Sequence, residues 1–392
     1  MKILQTIESL NPEFGGTVEA VLQLTRAFAR LGVYGDILTL DGPEQVWETG
    51  LPPEQVHRAG PPRTFYRYCG ALKPWFRRHL AGYDAVLIHG LWRHHSAGTW
   101  RALRGRATPY YVVVHSMLNP WFNTEGFWKH ARKSLFWRAI EHRVLAGART
   151  VIYTSEEERR LAQQSFRPYR CREVVLPLGT APPPAASGEE FLFRYPRLRG
   201  KRLALFLGRL HPMKGCDILL RAWPSVAARH SGAHLVMAGP DSAGWRADLE
   251  ALARRGNIEQ SVTFTGPLQG AQKWSAFAAA EVFVLPSHCE AFPYAVLESL
   301  GAGVPVLTTE QVNLAGILRP AGCALIGQDT EQSTAENLLR WFALPDATRT
   351  AMSLAARECF HEHFEIGTAA GRIVDFLRRD AHAAAGLKST PG

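Results

Sequence analysis

Two glutamates, Glu290 and Glu298, stand eight residues apart in the stretch VFVLPSHCEAFPYAVLESLGAGVPVLTT. The apolar run VFVLP predicts a strand, so Glu290 is expected in the loop at its carboxyl end. The next segment predicts a helix that contains Glu298 and closes at Gly301 and Gly303. Carboxylates at such places can accept hydrogen bonds from sugar and ribose hydroxyls. An exposed Glu followed by a helix-capping Glu, without any ligand, is the alternative interpretation of the same spacing.

Two cations follow another predicted strand, in the stretch LFLGRLHPMKGCDILL. Arg209 and Lys214 lie between a strand that ends at Gly208 and a helix that begins after Gly215. A strand-to-helix turn with two cations beside a helix N-terminus suits phosphate oxygens. This is not a Walker A loop, because the glycine-rich run and the Lys-Ser/Thr pair are absent. A basic loop without a ligand is the alternative.

A glycine pair, Gly15-Gly16, lies between the first predicted strand and the first predicted helix. Glycines at that turn let the backbone approach a ligand while the helix N–H groups face it. Alone, the pair is also compatible with an ordinary turn.

The elements that must position these residues alternate short β-branched runs with amphipathic segments, which is typical of parallel α/β sheets. Eleven strands are predicted, from KILQTI, GDILTL, AVLIHG, YYVVVHS, TVIYTS, EVVLPL, LALFLG, HLVMAG, VTFTG, EVFVLP and PVLTT. The segment TAPPPAASGEE interrupts the alternation and predicts an interdomain linker. The fold class expected is α/β, with two Rossmann-like parallel-sheet domains that face each other across a cleft.

The domain boundaries follow from that linker. We predict an N-terminal domain over 1–182, a linker over 183–200 and a C-terminal domain over 201–365, with a last helix at about 366–382 that packs back on the first domain. In open parallel sheets, ligands bind outside the carboxyl ends of the strands. Each motif above is predicted to lie there.

The net charge of +10 is concentrated in the first part of the chain. Residues 1–180 carry 24 Lys and Arg against 15 Asp and Glu, and the rest carries 21 against 20. This excess predicts an anionic partner: a phosphorylated substrate, an anionic membrane surface or nucleic acid. No nucleic-acid-binding module is recognisable, so nucleic acid is not expected as a partner.

The remaining composition favours a cytoplasmic protein without a metal. No apolar run reaches the roughly 18–20 residues that span a bilayer, and MKILQTIESL lacks the features of a signal peptide. The six cysteines have no CxxC spacing and predict reduced thiols. There is no D-x-D pair and no cluster with metal-ligand spacing, so neither a metal nor a cofactor is expected.

Taken together, these motifs resemble the retaining GT-B glycosyltransferases of family 4, in particular members that assemble polysaccharides. That family has a glycine-rich first loop, a G-R-x-x-x-x-K-G loop and an E-x7-E element. The resemblance implies a UDP- or GDP-sugar donor as substrate, with Arg209 and Lys214 on its diphosphate. It places Glu298 on the ribose and Glu290 on the transferring sugar. The donor site is also predicted to include Gly15, Gly16, Phe292, Val296 and Leu297.

The stretch HSMLNPWF is similar to the H-G-M-L-x-P-W segment of those members, with Ser116 in place of glycine. The resemblance implies that His115 lies near the anomeric carbon and acts with Glu290 in catalysis. A packing histidine is the alternative. His89 at the end of AVLIHG is the parallel candidate, and the acceptor is predicted to meet His89, Trp92, Asn119 and Trp121. The sequence departs from the family after Glu290, where the usual E-G-F-G becomes EAFP and Pro293 has no N–H to offer.

The implied function is sugar transfer, with retention, to a saccharide or lipid-linked saccharide in exopolysaccharide, capsule or lipopolysaccharide synthesis. The aromatic and basic segments 63–80 and 120–143 suit the interface of an anionic membrane, so peripheral contact at its inner face is a further expectation. Core aromatics beside a solvated basic face would give the same pattern. A nucleotide-sugar 2-epimerase of the same fold and a non-catalytic GT-B relic on an anionic surface are the alternative functions.

Overall fold

The computed structural model describes residues 1–120, 127–241, 244–290 and 292–386. The chain divides into two compact units, Met1–Ala181 with the segment from Ile366 onward, and Pro182–Glu365. Each unit has its own hydrophobic core and one parallel sheet. The predicted fold class, two Rossmann-like parallel-sheet domains, is confirmed.

The amino-terminal unit contains a seven-stranded sheet in the order β3-β2-β1-β4-β5-β6-β7. Its strands are β1 (Lys2–Ile7), β2 (Tyr34–Thr39), β3 (Val56–Arg58), β4 (Ala85–His89), β5 (Tyr110–Val113), β6 (Thr150–Tyr153) and β7 (Glu173–Val175). Its helices are α1 (Gly16–Arg30), α2 (Leu72–His79), α3 (His94–Leu103), α4 (Phe127–Phe136), α5 (His142–Gly147) and α6 (Glu156–Ser165). β4 is buried along its whole length, which explains why its sequence is an apolar run rather than an alternation.

The carboxyl-terminal unit contains a six-stranded sheet in the order β10-β9-β8-β11-β12-β13. Its strands are β8 (Arg202–Leu207), β9 (Ala233–Ala238), β10 (Val262–Gly266), β11 (Val282–Leu285), β12 (Val306–Thr309) and β13 (Ala324–Gly327). Its helices are α7 (Glu189–Arg194), α8 (Cys216–Arg229), α9 (Arg246–Arg255), α10 (Gly270–Ala279), α11 (Tyr294–Gly301), α12 (Ala315–Leu318), α13 (Glu331–Ala343) and α14 (Asp346–Cys359).

The last helix, α15 (Ile366–Gly386), belongs to the amino-terminal unit, where it packs against α1. Its Asp380 side chain is buried and accepts hydrogen bonds from the Tyr111 hydroxyl (2.8 Å) and from Nε of Arg149 (2.8 Å). Burial raises the pKa of Asp380, but the bonds from Arg149 and Tyr111 hold it below its usual value. A buried, paired carboxylate therefore anchors the end of the chain to β5 and to the loop that enters β6.

Each sheet has one point where the strand order reverses. In the amino-terminal unit it lies between β1 and β4, and in the carboxyl-terminal unit it lies between β8 and β11. In open parallel sheets the loops that leave the carboxyl ends of two such strands diverge, and ligands bind in the crevice between them. The two candidate regions described next lie at these two reversal points, one in each unit.

Candidate functional site

The loop after β8 turns the chain sharply from the sheet into α8. A single turn of 3-10 helix, Pro212–Lys214, is capped by the His211 side chain, whose Nδ1 accepts from the Met213 N–H at 3.2 Å. Gly215 then starts α8 in the left-handed region, at φ +67°. A Cβ on Gly215 would lie 2.1 Å from the Pro286 carbonyl oxygen, so this close approach requires glycine.

Backbone hydrogen bonds bind the loop after β11 to the loops on both sides of it. The His288 N–H donates to the Met213 carbonyl at 3.0 Å, which joins it to the loop after β8. The Glu290 N–H donates to the Gln311 carbonyl at 3.0 Å, and the Glu290 carbonyl accepts from Asn313 N–H at 2.8 Å. The loop that carries Glu290 is therefore held between two neighbouring loops at the sheet's reversal point.

Lys214 and Glu290, which the sequence placed 76 positions apart, form an ion pair through Nζ and Oε1. Both side chains are largely withdrawn from solvent. Burial, followed by the neighbouring charge of Arg209, lowers the pKa of Lys214 to about 8. The Arg209 side chain is exposed. Lys214 thus has one carboxylate partner and one neighbouring cation, which leaves this corner with a positive charge beside the N-terminus of α8.

Glu298 lies in the second turn of α11 and accepts a hydrogen bond from Nζ of Lys273 at 2.6 Å. Lys273 is on α10 and also lies over the Trp274 ring, 4.4 Å from its centroid. The two carboxylates of the E-x7-E element therefore each have a lysine partner. Lys273 was not predicted, because no local pattern connects α10 to α11.

Three other predicted donor residues occupy different environments. Phe292 is half-buried and packs edge-on against Phe364, with ring centroids 6.4 Å apart. The side chains of Val296 and Leu297 are fully buried in the core beneath α11, so only their backbone could meet a ligand. Pro293 is the residue that precedes α11, at φ −76°. The assignment of these side chains to a donor site stays a prediction.

In the amino-terminal unit, the loop after β1 has a similar turn. A 3-10 turn, Pro12–Phe14, is followed by Gly15 at φ +69°, and α1 begins at Gly16. A Cβ on Gly15 would meet nothing within 4 Å, so the backbone angle alone accounts for glycine there. The first N–H groups of α1 have no side-chain cap and are placed to meet a ligand at this edge of the sheet.

His89 and His115, from the ends of neighbouring strands, contact each other directly. His89 ends β4, His115 follows β5, and His89 Nδ1 lies 2.9 Å from His115 Nε2. Burial, followed by the nearby imidazole of His95, lowers the pKa of His115 to about 4. Burial, followed by His115 and then His95, places the pKa of His89 well below its ordinary value. Both rings are therefore neutral near pH 7.

A buried glutamate holds the turn that carries His115. His115 and Ser116 both have positive φ angles, +50° and +61°, which are unusual for residues with side chains. Glu158 Oε1 accepts from the Ser116 N–H at 2.6 Å, and its Oε2 accepts from the Thr154 N–H at 2.6 Å. This explains how serine is accommodated where the resembled segment has glycine.

The three predicted acceptor residues that the structure describes do not form one exposed surface. His89 is buried beneath His115. Trp92 packs against Phe166 with ring centroids 5.2 Å apart, and its Nε1 donates to the Met117 carbonyl at 3.1 Å. Asn119 is buried, and its N–H donates to the Ser116 carbonyl at 3.0 Å. Trp121 lies outside the described residues. Contact of these residues with an acceptor stays a prediction.

Glu8, a residue that the sequence reasoning missed, lies immediately after β1. Its Oε1 is 3.3 Å from Nε of Arg93 and 3.5 Å from Nε of Arg67. Arg93 also lies over the Phe65 ring, 4.3 Å from its centroid, and Phe65 is 82% exposed. The signal was available in the sequence, because Glu8 directly follows a strand at its carboxyl end.

The aromatic and basic segments divide between the core and a groove. Trp137 and Phe76 are buried in the core of the amino-terminal unit, as the packing interpretation expects. A cavity of about 190 Å³ between α2 and the end of α3 is lined by Lys73, Phe76, Arg77, Arg101, Ala102, Arg104 and Arg106. This basic groove contains five cationic side chains and no carboxylate in its lining. Part of segment 120–143 lies outside the described residues.

Among the residues that the structure describes, no group of three or more His, Cys, Asp or Glu side chains is placed to hold a metal ion. In the same ranges, no helix is both long enough and apolar enough to cross a membrane.

Two family models match the chain in succession. The model described as glycosyl transferase 4-like domain matches residues 15–179, and the model described as glycosyl transferases group 1 matches residues 189–358. A curated relative from Mycobacterium tuberculosis, a GDP-mannose-dependent alpha-(1-6)-phosphatidylinositol monomannoside mannosyltransferase, is 28% identical over 255 residues. That alignment covers 62% of this chain and 65% of the relative, so the chain spans less than two thirds of the relative's length.

Solved structures show the same fold at low identity. Sucrose-phosphate synthase from Thermosynechococcus elongatus superposes with a TM-score of 0.78 at 20% identity, over 98% of this chain and all of that one. HepE from Anabaena, in complex with UDP and glucose, has a TM-score of 0.73 at 16% identity, over 96% of this chain and 99% of that one.

Proposed function

Because the chain belongs to the GT-B glycosyltransferases of family 4, we propose that it transfers a hexose from a nucleotide-sugar donor to a saccharide or lipid-linked saccharide acceptor, with retention of anomeric configuration. Synthesis of exopolysaccharide, capsule or lipopolysaccharide is the process that we propose for it. The observation that carries the proposal is the corner formed by Arg209, Lys214 and Glu290 at the reversal point between β8 and β11.

That corner has the charge that a diphosphate requires. Arg209 and Lys214 lie close enough for one charge to lower the pKa of the other, and Glu290 neutralises only one of them. A bound diphosphate relieves this repulsion and also meets the N–H groups at the start of α8. Arg209 can bond two phosphate oxygens at once, whereas Lys214 acts as a point charge.

Relatives support the donor class. HepE was solved with UDP and glucose, and the mycobacterial relative is named as GDP-mannose-dependent. We therefore propose UDP- or GDP-sugars as donors. Glu298, oriented by Lys273, accepts from the ribose hydroxyls, and Glu290 accepts from hydroxyls of the sugar.

The transfer that we propose proceeds on one face of the sugar. The bond from the anomeric carbon to the diphosphate oxygen breaks as the acceptor oxygen bonds to the same face, and the leaving diphosphate takes the proton of the acceptor hydroxyl. Arg209 and Lys214 stabilise the negative charge that develops on the diphosphate. His115, neutral near pH 7, hydrogen-bonds to the sugar beside the reacting carbon.

A thermal-shift screen tests the donor site. UDP, GDP, ADP and CMP with their common sugar conjugates are added to the purified protein, since a ligand that binds only the folded state raises the midpoint. We expect UDP or GDP compounds to raise it in the wild type and not in Arg209→Ala or Glu298→Ala. Arg221→Ala is the matched control, because Arg221 lies on the exposed face of α8 in an ion pair with Asp217 at 2.8 Å. It should keep the full shift.

Other outcomes identify the alternatives. If no nucleotide raises the midpoint of well-folded protein, the proposal is wrong and a non-catalytic binding protein is favoured. If the donor binds and its sugar is converted without any acceptor, a 2-epimerase is favoured. Transfer to an added saccharide, with the product configuration read by NMR, supports the proposal.

The basic groove supports a second part of the proposal, peripheral contact with an anionic membrane surface. Its five cations have no carboxylate among the lining residues, and Arg104 and Arg106 lie in the loop that enters β5. Sedimentation with vesicles of phosphatidylcholine, with and without phosphatidylglycerol, tests it. Binding should require the anionic lipid and weaken in Arg77→Ala/Arg104→Ala. Arg159→Ala/Arg160→Ala on α6, whose arginines pair with Glu156 and Glu157, should not weaken it.

A further inference from the structure

Three histidines gather where β4 and β5 end, and their hydrogen bonds have definite directions. His95, in the first turn of α3, has its Nε2 2.9 Å from the carbonyl oxygen of His89. A carbonyl oxygen only accepts, so His95 carries its proton on Nε2. His89 and His95 are each 1% exposed, whereas His115 is partly exposed.

The contact between His89 Nδ1 and His115 Nε2, at 2.9 Å, allows two arrangements when both rings are neutral. In the first, His89 donates its Nδ1–H, its Nε2 is a bare lone pair, and His115 carries its proton on Nδ1. In the second, His115 donates its Nε2–H, so that His89 must carry a proton on its own Nε2.

The surroundings of His89 Nε2 distinguish these arrangements. That nitrogen is buried and has no hydrogen-bond partner among the residues that the structure describes. A buried N–H without an acceptor is rarer in proteins than an unsatisfied acceptor, because the donor loses its water without a replacement. The first arrangement leaves only a lone pair unsatisfied, and it is therefore favoured.

We infer that His89 is a positioning residue that donates its Nδ1–H to His115 Nε2 and thereby keeps the proton of His115 on Nδ1. Nδ1 of His115 makes no hydrogen bond to the described part of the chain, and His115 is the partly exposed member of the pair. This inference rests on the proposed function for its consequence: His115 presents an N–H donor, rather than a basic lone pair, to an oxygen of the substrate.

The consequence for the reaction is specific. An Nδ1–H group stabilises negative charge on a sugar or diphosphate oxygen by donating a hydrogen bond, but it cannot accept the proton of an acceptor hydroxyl. The role of His115 is therefore electrostatic, and the proton of the acceptor must leave by another route. The leaving diphosphate of the proposed transfer provides that route.

Long-range ¹H–¹⁵N NMR of protein labelled with [¹⁵N]histidine tests the tautomer directly. Signals of the two rings are assigned by their loss in His115→Gln and in His89→Asn. We expect His115 in the Nδ1–H form in the wild type, and a mixture of both forms in His89→Leu. The Nε2–H form of His115 in the wild type would overturn the inference. The measurement needs no substrate, so an inactive protein with the Nδ1–H form counts against the proposed function alone.

Rescue by a conservative variant separates positioning from packing. The amide N–H of Asn can replace the Nδ1–H of His89, whereas Leu fills space without a donor. Nucleotide release from UDP-glucose or GDP-mannose, whichever donor the screen identifies, should fall about 10- to 100-fold in kcat for His89→Leu and less than about fivefold for His89→Asn. The donor KM should stay the same in both.

His234→Leu is the matched control, because His234 is a buried histidine at the amino end of β9 that bonds Thr263 at 2.8 Å. It should keep kcat once thermal melts confirm folding. If His89→Asn is as slow as His89→Leu while both remain folded, the positioning role is wrong. If His89→Leu does not fold, the comparison of His89→Asn with wild type and the wild-type NMR measurement still decide the question.

Discussion

The chain builds the same order of strand, 3-10 turn and helix twice, and the two copies differ in the charged side chains that they carry. β1 ends at Ile7 and β8 at Leu207, a 3-10 turn begins at a proline in each, and a left-handed glycine starts each helix. Even the caps correspond, since Asn11 accepts from the Glu13 N–H and His211 accepts from the Met213 N–H. The two glycines share a positive φ but differ in ψ, which is −135° at Gly15 and 29° at Gly215, and the side chains of the two turns differ as well.

The side chains at corresponding places in the two loops differ in charge. We call the loop after β1, residues 8–15, the first turn and the loop after β8, residues 208–215, the second turn. The second turn contains Arg209 and Lys214, whereas the first contains Ser9 and Phe14 at the corresponding places. Glu8 occupies the place of Gly208, and it is surrounded by Arg67 and Arg93. If the diphosphate binds at the second turn, as we propose, the cations of that turn rather than its backbone alone select the ligand.

The largest expected difference between the two units is their response to acid. Burial lowers the histidine pKa at five places in the amino-terminal unit, namely His57, His89, His94, His95 and His115. In the described part of the carboxyl-terminal unit it does so at His234. At His94, His95, His115 and His234 the unfolded chain binds a proton near pH 6.5 and the folded chain only near pH 4, so stability falls as the pH drops through that window. The folded pKa values of His57 and His89 are also lowered, which acts in the same direction. The cost is about 3 kcal/mol for each buried imidazole whose pKa falls to about 4.

Hydrogen exchange at pH 7.0, 5.5 and 4.5, corrected for the intrinsic rate, measures this difference. Amides of the amino-terminal unit should lose protection first, and those of β8 and β11 should retain it longer. Earlier opening of the carboxyl-terminal unit would show that its own acidic pairs, rather than buried imidazoles, limit acid stability.

Removal of the Lys214 charge tests whether that charge binds the nucleotide at the second turn. Lys214→Met keeps the length of the side chain, and we expect it to weaken UDP or GDP binding about 10- to 100-fold, the usual cost of a charged hydrogen bond. Titration calorimetry measures the affinity. Phe14→Met, at the corresponding place in the first turn, is the matched control and should change it less than about threefold. Equal losses in both variants would contradict the assignment of the nucleotide to the second turn.

Alanine at each of the two glycines with positive φ angles compares how much each turn contributes to the free energy of unfolding. Gly215→Ala places a Cβ against the Pro286 carbonyl as well as straining the backbone, so we expect it to lower the free energy of unfolding by about 2–4 kcal/mol. Gly15→Ala meets open space and should cost about 1–2 kcal/mol, from the backbone angle alone. Denaturant unfolding, followed by a probe in each unit, separates the two costs. A larger loss for Gly15→Ala would mean that neighbouring loops contact the first turn more closely than the second.

Much of the fold was readable from the sequence, because both sheets are parallel and their buried strands appear as apolar runs. Two strands were not predicted. β3 is only three residues, VHR, and β13 is four residues that end in glycine, so neither shows a β-branched run. Both are edge strands, where pairing with one neighbour defines the element more than its own sequence does.

The sequence predicted which segments carry the candidate site residues, but not which side chains contact each other there. The motifs placed Arg209, Lys214 and Glu290 in loops after strands and Glu298 in the following helix, yet the lysine partner of each carboxylate comes from a distant element. His89 and His115 were treated as separate candidates. His89 ends β4 and His115 follows the end of the neighbouring parallel strand β5, so both side chains come to one edge and their contact was inferable from the topology.

The smallest expected effect is the pH dependence of nucleotide binding, which reports the charge of Lys214. The pKa of Lys214 is about 8 without ligand, because of burial and of the neighbouring Arg209, and a bound diphosphate raises it by stabilising the ammonium form. Binding therefore takes up a proton above pH 8, and affinity should fall about fivefold between pH 8 and pH 9. Lys214→Arg, which stays protonated, should bind with an affinity that hardly changes over this range.

Calorimetry in two buffers of different ionisation enthalpy measures the proton uptake directly, independently of any change in affinity. The first turn provides the internal contrast, because it has no lysine at the corresponding place and Phe14→Met should leave the proton uptake unchanged. Uptake that persists in Lys214→Arg would assign the titration to another group. Uptake that disappears there, while affinity is kept, ties the pH dependence to Lys214.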